Sequence, residues 1–84
     1  MKVKLKFFAE LRDKFKPTEF ECSCKDPSEL LKEIYSRLPE LKEVEAEYGE
    51  LGLIFLVNGR DVRHLKRIEG DEVTVSIFPP SAGG

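Results

Sequence analysis

The residues best suited to chemistry stand at the end of the sequence, in the stretch FPPSAGG at positions 78–84. Pro79 and Pro80 restrict the backbone to an extended form, so the stretch is predicted to project from the domain. Ser81 and Ala82 carry small side chains, and the two final glycines carry none. Fully extended, these residues reach about 20 Å, and such a slender chain could enter a channel that is too narrow for other peptides.

The reactive group of this tail is expected to be the α-carboxylate of Gly84. Its reference pKa of about 3.3–3.7 means that it is ionised at neutral pH, and an ionised carboxylate is a poor electrophile. Another molecule must therefore activate it, for example by forming a mixed anhydride with AMP. Gly83 and Gly84 together predict a carboxylate that is presented to the active sites of other proteins.

Phe78 stands at the root of the tail. The alternation of the strand before it directs its side chain away from the core, and exposed aromatic residues are typical anchors of protein interfaces. A frayed, functionless terminus is the simplest alternative, but it does not explain the aromatic residue, the two prolines and the two glycines together. We therefore predict that residues 78–83 contact a partner.

Two cysteines and one histidine are the other candidates for chemistry. Cys22 and Cys24 are too few for a disulfide framework, and a zinc or iron–sulfur site needs more ligands than they supply. We expect them to be small core residues, and a redox role stays open. His64 has no nucleophile or carboxylate signature around it and is expected to be a loop residue without a catalytic role. No metal site is predicted.

The charge pattern argues against several classes of partner. The net charge of −2 opposes non-specific nucleic-acid binding, which needs a basic excess. The sequence has no apolar run long enough to span a membrane and begins unlike a signal peptide, so a cytoplasmic location is expected. Residues 40–50 are acidic and read as the solvated face of a helix. Residues 60–67 are basic and read as a solvated loop, or alternatively as a docking patch for an acidic partner.

The composition also hints at heat adaptation. The sequence lacks glutamine, has a single asparagine (Asn58) and is rich in glutamate and lysine. This bias is typical of proteins from hot environments.

The elements that must position the tail can be read from periodicity. Residues 2–7 and 18–24 alternate as two strands of a hairpin, whose outward lysines and glutamates are expected to meet. Residues 26–38 form the clearest helix, with Asp26 as its N-cap, and a weaker helix follows over residues 41–48. A strand buried on both faces ends at the turn Asn58-Gly59, and residues 73–77 form the last strand.

This order of elements predicts one α+β domain with the ubiquitin-like β-grasp fold, a mixed sheet packed on one main helix. The domain is expected to occupy residues 1–78, and residues 79–84 are expected to form an extended, flexible Gly-Gly tail. Periodicity alone also allows other α+β sandwiches. With only 84 residues the chain has no volume for a deep active site, so any catalytic residues are expected in a partner.

Three stretches resemble one known family. They are similar to the small subunit of molybdopterin synthase, a ubiquitin-like sulfur carrier, and read GDEVTVSIFPPSAGG, KVKLKFFAELRDKF and LVNGRDV. Thiamine-pathway carriers also end in Gly-Gly, but they typically place Val-Asn-Gly near the N-terminus. Here that motif ends at Gly59, which favours the molybdopterin branch. The ending is the specific part of the resemblance, which spans nearly the whole chain.

The resemblance implies a mechanism. An E1-like enzyme uses ATP and Mg²⁺ to adenylate Gly84, and a sulfur donor converts the adenylate to a thiocarboxylate. The tail then enters the large subunit of molybdopterin synthase, whose residues transfer the sulfur to cyclic pyranopterin monophosphate. By resemblance, residues 79–83 thread the channel, Phe78 packs on the partner and Arg12 joins the interface. Ser81 replaces the apolar residue that is common at its position.

Two other functions use the same tail. A ubiquitin-like modifier would join Gly84 to lysines of target proteins, and related carriers supply sulfur for tRNA thiolation. A plain interaction module with an inert tail is a third possibility. The sequence does not separate sulfur carrier from modifier.

Overall fold

The structure is a computed structural model, which describes residues 1–80. It contains a five-stranded mixed sheet, two α-helices and three short 3-10 helices. The strands are β1 (Lys2–Phe7), β2 (Thr18–Glu21), β3 (Ile54–Val57), β4 (Arg60–Asp61) and β5 (Glu72–Phe78). The helices are α1 (Pro27–Arg37) and α2 (Glu40–Glu47), and the 3-10 helices span Ala9–Asp13, Gly49–Leu51 and Val62–His64.

The strand order is β2-β1-β5-β3-β4. β1 and β5 are parallel neighbours at the centre, and the other pairs are antiparallel. Because the first and last strands pair in parallel, the end of β5 lies beside the end of β1. This sheet, with α1 and α2 packed on one face, is the predicted β-grasp fold, which is thereby confirmed.

The core lies between the helices and the inner face of the sheet. Alternate residues of the central strands are buried there, as period-two patterning requires. They meet the apolar stripe of α1 and two residues of α2. The residues with 1% exposure or less are Val3, Leu5, Leu11, Leu30, Ile34, Leu41, Val73, Val75 and Ile77.

Helix α1 begins where the sequence predicts. The Asp26 side chain accepts a hydrogen bond from the Glu29 backbone N–H (2.9 Å), and Pro27 occupies the first helical turn. Helix α2 is tied to α1 by the Tyr35 hydroxyl, which donates to the Glu45 carboxylate. Partial burial of the ring, together with this hydrogen bond, raises the pKa of Tyr35 above its ordinary range.

The opening hairpin forms as predicted, but only some of its lysines pair with the glutamates of the hairpin. Lys2 lies 3.9 Å from a carboxylate oxygen of Glu19, as expected across β1 and β2. The Lys4 ammonium instead lies 2.9 Å from Glu72 on the opposite neighbour, β5. The prediction missed this pair because it did not consider that β1 lies between two strands.

Two predicted strands differ from the structure. β2 ends at Glu21 instead of continuing to Cys24, because its pairing with β1 ends at Lys2, the first residue of that strand. β3 was expected to be buried on both faces, but only Phe55 and Val57 are buried, and Ile54 is half-buried on the outer face. The Asn58-Gly59 turn is as predicted, with positive φ at both residues.

Within residues 1–80, no helix is long and apolar enough to cross a membrane.

Candidate functional site

Strand β5 delivers Phe78 to the outer face of the sheet. Val73, Val75 and Ile77 are buried on the inner face, so the alternation places Phe78 outside, where it is half-buried. Its backbone pairs with that of Ile54 on β3. The predicted orientation of Phe78, away from the core, is therefore confirmed.

Phe78 does not stand alone at this position. The ring of Phe8 stacks on it with centroids 4.4 Å apart and planes inclined by 11°. Phe8 directly follows β1, and its backbone N–H donates to the Ile77 carbonyl (3.1 Å), which holds the two aromatic residues side by side. The next residue, Ala9, has φ of 55° and turns the chain away from the sheet. Such a stack holds the Phe78 ring in one orientation.

Two residues of β3 extend this apolar surface. Ile54 and Leu56 lie on the outer face and are half-buried. We call Phe8, Ile54, Leu56 and Phe78 the sheet-face patch. A cluster of aromatic and aliphatic side chains with partial exposure is the type of surface that forms the centre of an interface.

One lysine lies beside the sheet-face patch on the β1 side. Lys6 is exposed and opposite Ser76, on the same face of the sheet. The patch therefore has an apolar centre with a cationic residue at its edge, which fits a partner surface that has an acidic residue beside an apolar pocket.

The sequence singled out only Phe78 of these four residues. The signal for Phe8 was present: the alternation of β1 places it outside the sheet, next to a buried Phe7. The signal for Ile54 and Leu56 was hidden, because a continuous apolar run does not show which residues face outwards.

The tail residues have different outcomes. Pro79 is buried and Pro80 is half-buried, so the chain is still packed on the domain where the tail was expected to begin. Ser81, Ala82, Gly83 and Gly84 lie outside the described residues. Their assigned roles, with Gly84 as the carrier of sulfur, stay predictions.

Arg12 lies on the 3-10 helix Ala9–Asp13, four residues beyond Phe8. The helix is anchored by Leu11, which is fully buried, and Arg12 is exposed. Its side chain makes no hydrogen bond or ion pair with another of residues 1–80. It is thus available at the surface, and its role at a partner interface stays a prediction.

The basic loop is partly neutralised by its own acidic residues. The Asp61 carboxylate accepts from the backbone N–H, Nε and Nη2 of Arg63, at 2.9, 3.0 and 2.7 Å. These bonds lower the pKa of Asp61 from 3.8 to about 2. Arg67 likewise lies 3.6 Å from Glu69. His64 is exposed near the Asp61–Arg63 pair. No catalytic partner for His64 is among the described residues.

The two cysteines were predicted to be small core residues. This is confirmed for Cys24, which belongs to the core, and Cys22 packs against the core, but the prediction did not include a bond between them. Cys22 and Cys24 form a disulfide, with Cα atoms 5.5 Å apart. Cys24 is 9% exposed and Cys22 is half-buried. Within residues 1–80, no three His, Cys, Asp or Glu side chains are grouped to hold a metal ion.

Comparisons with known proteins agree with this geometry. The model of the ThiS family matches residues 5–84. The solution structure of the small archaeal modifier protein 1 (SAMP1) from Methanosarcina acetivorans is similar, with a TM-score of 0.66 and 27% sequence identity. That match covers 99% of this chain and 96% of the other. No curated protein matches the chain.

Proposed function

Because the chain belongs to the ThiS family of ubiquitin-like sulfur carriers, we propose that Gly84 carries sulfur as a thiocarboxylate. We further propose that the protein acts as the sulfur-donating subunit of a molybdopterin synthase in the cytoplasm. Proteins of this family generally work with E1-like enzymes and partner subunits, and the family match runs to Gly84 itself.

The chemistry of activation requires a partner that supplies ATP and Mg²⁺. The Gly84 carboxylate attacks the α-phosphorus of ATP, and pyrophosphate leaves. Sulfide supplied by a sulfur donor then attacks the acyl carbon, and AMP leaves, so that a thiocarboxylate is formed. This chain contributes the nucleophilic carboxylate and a surface by which the activating enzyme holds it. The catalytic residues belong to the partners.

The observation that carries the proposal is the position of the sheet-face patch at the root of the tail. A partner that binds Phe8 and Phe78 holds a fixed point close to Pro80. The four residues after Pro80 then reach at most about 14 Å from that point. Docking the patch therefore confines the carboxylate to a small volume, which raises its effective concentration in the partner's active site.

The next step would use the same surface. We propose that the large subunit of molybdopterin synthase binds the sheet-face patch and takes the tail into its channel. Sulfur then passes from Gly84 to cyclic pyranopterin monophosphate. Small residues at positions 82–83 would pass a narrow channel, because they have no side chain beyond a methyl group.

A second candidate function is supported by the structural comparison. SAMP1 is called a modifier, and it covers nearly the full length of this chain. The alternative proposal is that activated Gly84 is joined to lysines of other proteins. Activation by an E1-like enzyme is common to both functions, which differ in the nucleophile that attacks the activated glycine.

The proposal is tested with the E1-like enzyme of the same organism in an ATP–pyrophosphate exchange assay. We expect exchange with the full chain and none when Gly84 is deleted. Leu51→Ala is a matched control, because Leu51 is 76% exposed and lies outside the patch. Equal exchange with and without Gly84 would refute adenylation at this residue.

The acceptor is then identified by adding the thiocarboxylated protein to the large subunit and cyclic pyranopterin monophosphate. Formation of the dithiolene, measured by fluorescence of the oxidised pterin, supports the synthase. Adducts on lysines of added proteins, without pterin product, would favour the modifier over the synthase.

A further inference from the structure

The Cys22–Cys24 disulfide lies immediately beyond the last paired residue of β2. Two residues of extended chain span about 6.4–6.8 Å, whereas the Cα atoms of Cys22 and Cys24 are 5.5 Å apart. The bond can close because the chain leaves the strand after Glu21, where the pairing with Lys2 ends. The backbone is therefore contracted at this place relative to a strand.

Stabilisation of the fold is a poor explanation for this disulfide. A disulfide stabilises mainly by closing a loop in the unfolded chain, and the gain increases with loop length. Here the two cysteines are separated by one residue, so the loop is close to the smallest possible. Both sides of the bond also belong to the same short segment, and the bond joins no distant parts of the chain.

The disulfide is also remote from the site of the proposed function. It lies beside Met1, at the beginning of β1, whereas Phe8 and Phe78 lie at the other end. The six residues of β1 separate the two places by about 20 Å. A role for the cysteines is thus independent of the tail.

Solvent reaches the disulfide from two sides. A cleft of about 550 Å³ is lined by both cysteines together with Met1, Lys25, Arg67 and Ile68. A shallower cleft of about 370 Å³ lies on the side of α1, next to Lys32. Cys22 is more exposed than Cys24, so an attacking group meets Cys22 first. The cations Lys25, Lys32 and Arg67 favour the thiolate form of a cysteine over the thiol. The carboxylates that also line these clefts oppose this effect; they are Glu29, Glu33 and Glu69.

We propose that Cys22 and Cys24 form a redox-active site that exchanges with small thiols and disulfides. A thiolate from a small thiol attacks Cys22 Sγ, the Cys22–Cys24 bond breaks, and Cys24 leaves as a thiolate that takes a proton. A second thiolate attacks the sulfur of the bound thiol and releases Cys22. The protein gains two electrons and two protons, and two small thiols become one disulfide. The reverse steps oxidise the pair.

The structure indicates what the exchange would change. The Cys22 backbone N–H donates to the Met1 carbonyl (3.0 Å), and the Ile68 N–H donates to the Lys25 carbonyl (2.8 Å). The contracted segment and the residue after it therefore join the start of β1 to the loop before β5, and Asp26 then caps α1. Reduction removes the contraction, so the wall of the larger cleft is expected to move while the sheet-face patch does not.

The experiment is a redox titration of the full chain with reduced and oxidised glutathione, followed by alkylation and intact mass measurement. We expect a reversible two-electron conversion between dithiol and disulfide. NMR spectra of the two states should differ at Ile68 and Asp26 and coincide at Phe8 and Phe78. The wild-type protein suffices for this measurement. A bond that never forms, or that forms and resists reduced glutathione in the folded protein, would overturn the proposal.

Two single variants test which sulfur is attacked. Cys24→Ser leaves Cys22 to accumulate a mixed disulfide with glutathione, and Cys22→Ser is the matched control. We expect the mixed disulfide to form at least about tenfold faster on Cys22 than on Cys24, because Cys22 is the more exposed. Equal rates, or a faster reaction at Cys24, would contradict entry at Cys22.

Discussion

The stacking of Phe8 on Phe78 gives a single pair of residues two roles. The stack closes the outer face of the sheet beside the root of the tail, and it presents an aromatic surface to a partner. Aromatic pairs add about 0.5–1.5 kcal/mol beyond the burial of their area, so the pair contributes modestly to stability. Its larger effect is expected in binding, where a central aromatic anchor dominates the energy.

Replacing Phe78 with alanine should separate these two roles. We expect a loss of about 1 kcal/mol in the free energy of unfolding and a loss of about 2 kcal/mol, or roughly thirtyfold, in affinity for the activating enzyme. Urea unfolding and calorimetric titration measure the two quantities. Phe8→Ala should reproduce the effect, and Leu51→Ala should leave affinity unchanged. Full affinity in Phe78→Ala would exclude the sheet-face patch from the interface.

The Asp61–Arg63 pair predicts a pH dependence of stability. The pKa of Asp61 is about 2 in the folded protein and 3.8 in its ordinary state, because Arg63 donates to the carboxylate. The folded state therefore holds the ionised form more strongly than the unfolded state does. The stabilisation is complete above about pH 4 and is lost as the pH falls towards 2.

Asp61→Asn tests this dependence. We expect the variant to be less stable than the wild type at neutral pH and to approach it as the pH falls from 4 to 2, in urea unfolding at a series of pH values. Ser28→Ala, at an exposed position away from this pair, serves as control. A constant difference between wild type and variant over this range would show that the pair does not titrate as described.

At the scale of elements, local sequence patterns predict an element correctly where its formation depends on its own residues. Helix α1 begins at its predicted cap because the Asp26 carboxylate satisfies a free N–H of the first turn. The last strand follows its alternation. The errors fall where a neighbouring strand decides the outcome. β2 stops opposite Lys2, the first residue of β1, and the outer face of β3 depends on the position of that strand in the sheet.

The candidate site divides in the same way. Phe78 could be found because the strand before it alternates, and the residues after it have unusual composition. Phe8, Ile54 and Leu56 join it through the parallel pairing of β1 with β5 and the antiparallel pairing of β3. These pairings bring together residues far apart in sequence, so no local pattern reports them. The disulfide was missed because it requires the strand to end before Cys22.

The turn between β3 and β4 allows a prediction about backbone strain. Gly59 has φ of 86°, and a Cβ atom added there would meet no atom within 4 Å. Any cost of a larger residue therefore arises from the backbone conformation alone. We expect Gly59→Ala to lower the free energy of unfolding by about 1 kcal/mol.

Gly59→Asn is the matched comparison, because asparagine tolerates positive φ better than alanine does. It should cost less than Gly59→Ala in the same urea unfolding experiment. Equal costs, or a neutral Gly59→Ala, would argue against strain at this turn.

At the scale of the whole molecule, the fold places two candidate sites at opposite ends of the sheet. The parallel pairing of β1 and β5 puts Phe8 and Phe78 at one end of the sheet, beside the root of the tail. The disulfide lies at the opposite end, beside Met1. The packed core lies between these two ends. We therefore expect partner binding at the tail and thiol exchange at the cysteines to be independent of each other.

The function of residues 81–84 is expected to be separable from stability. We expect deletion of these residues to leave the unfolding midpoint nearly unchanged, since the fully buried side chains among the described residues 1–80 lie between Val3 and Ile77 and form the core without them. Differential scanning calorimetry measures the midpoint. A fall of many degrees would mean that the deleted residues pack on the domain.

The central claim is that Gly84 carries sulfur, and intact mass measurement of the protein from its native cell tests it most directly. The account predicts a species in which one oxygen is replaced by sulfur, located in the C-terminal peptide and absent when Gly84 is deleted. Protein found with an unmodified carboxylate, or joined only to lysines of other proteins with no sulfur at Gly84, would contradict it.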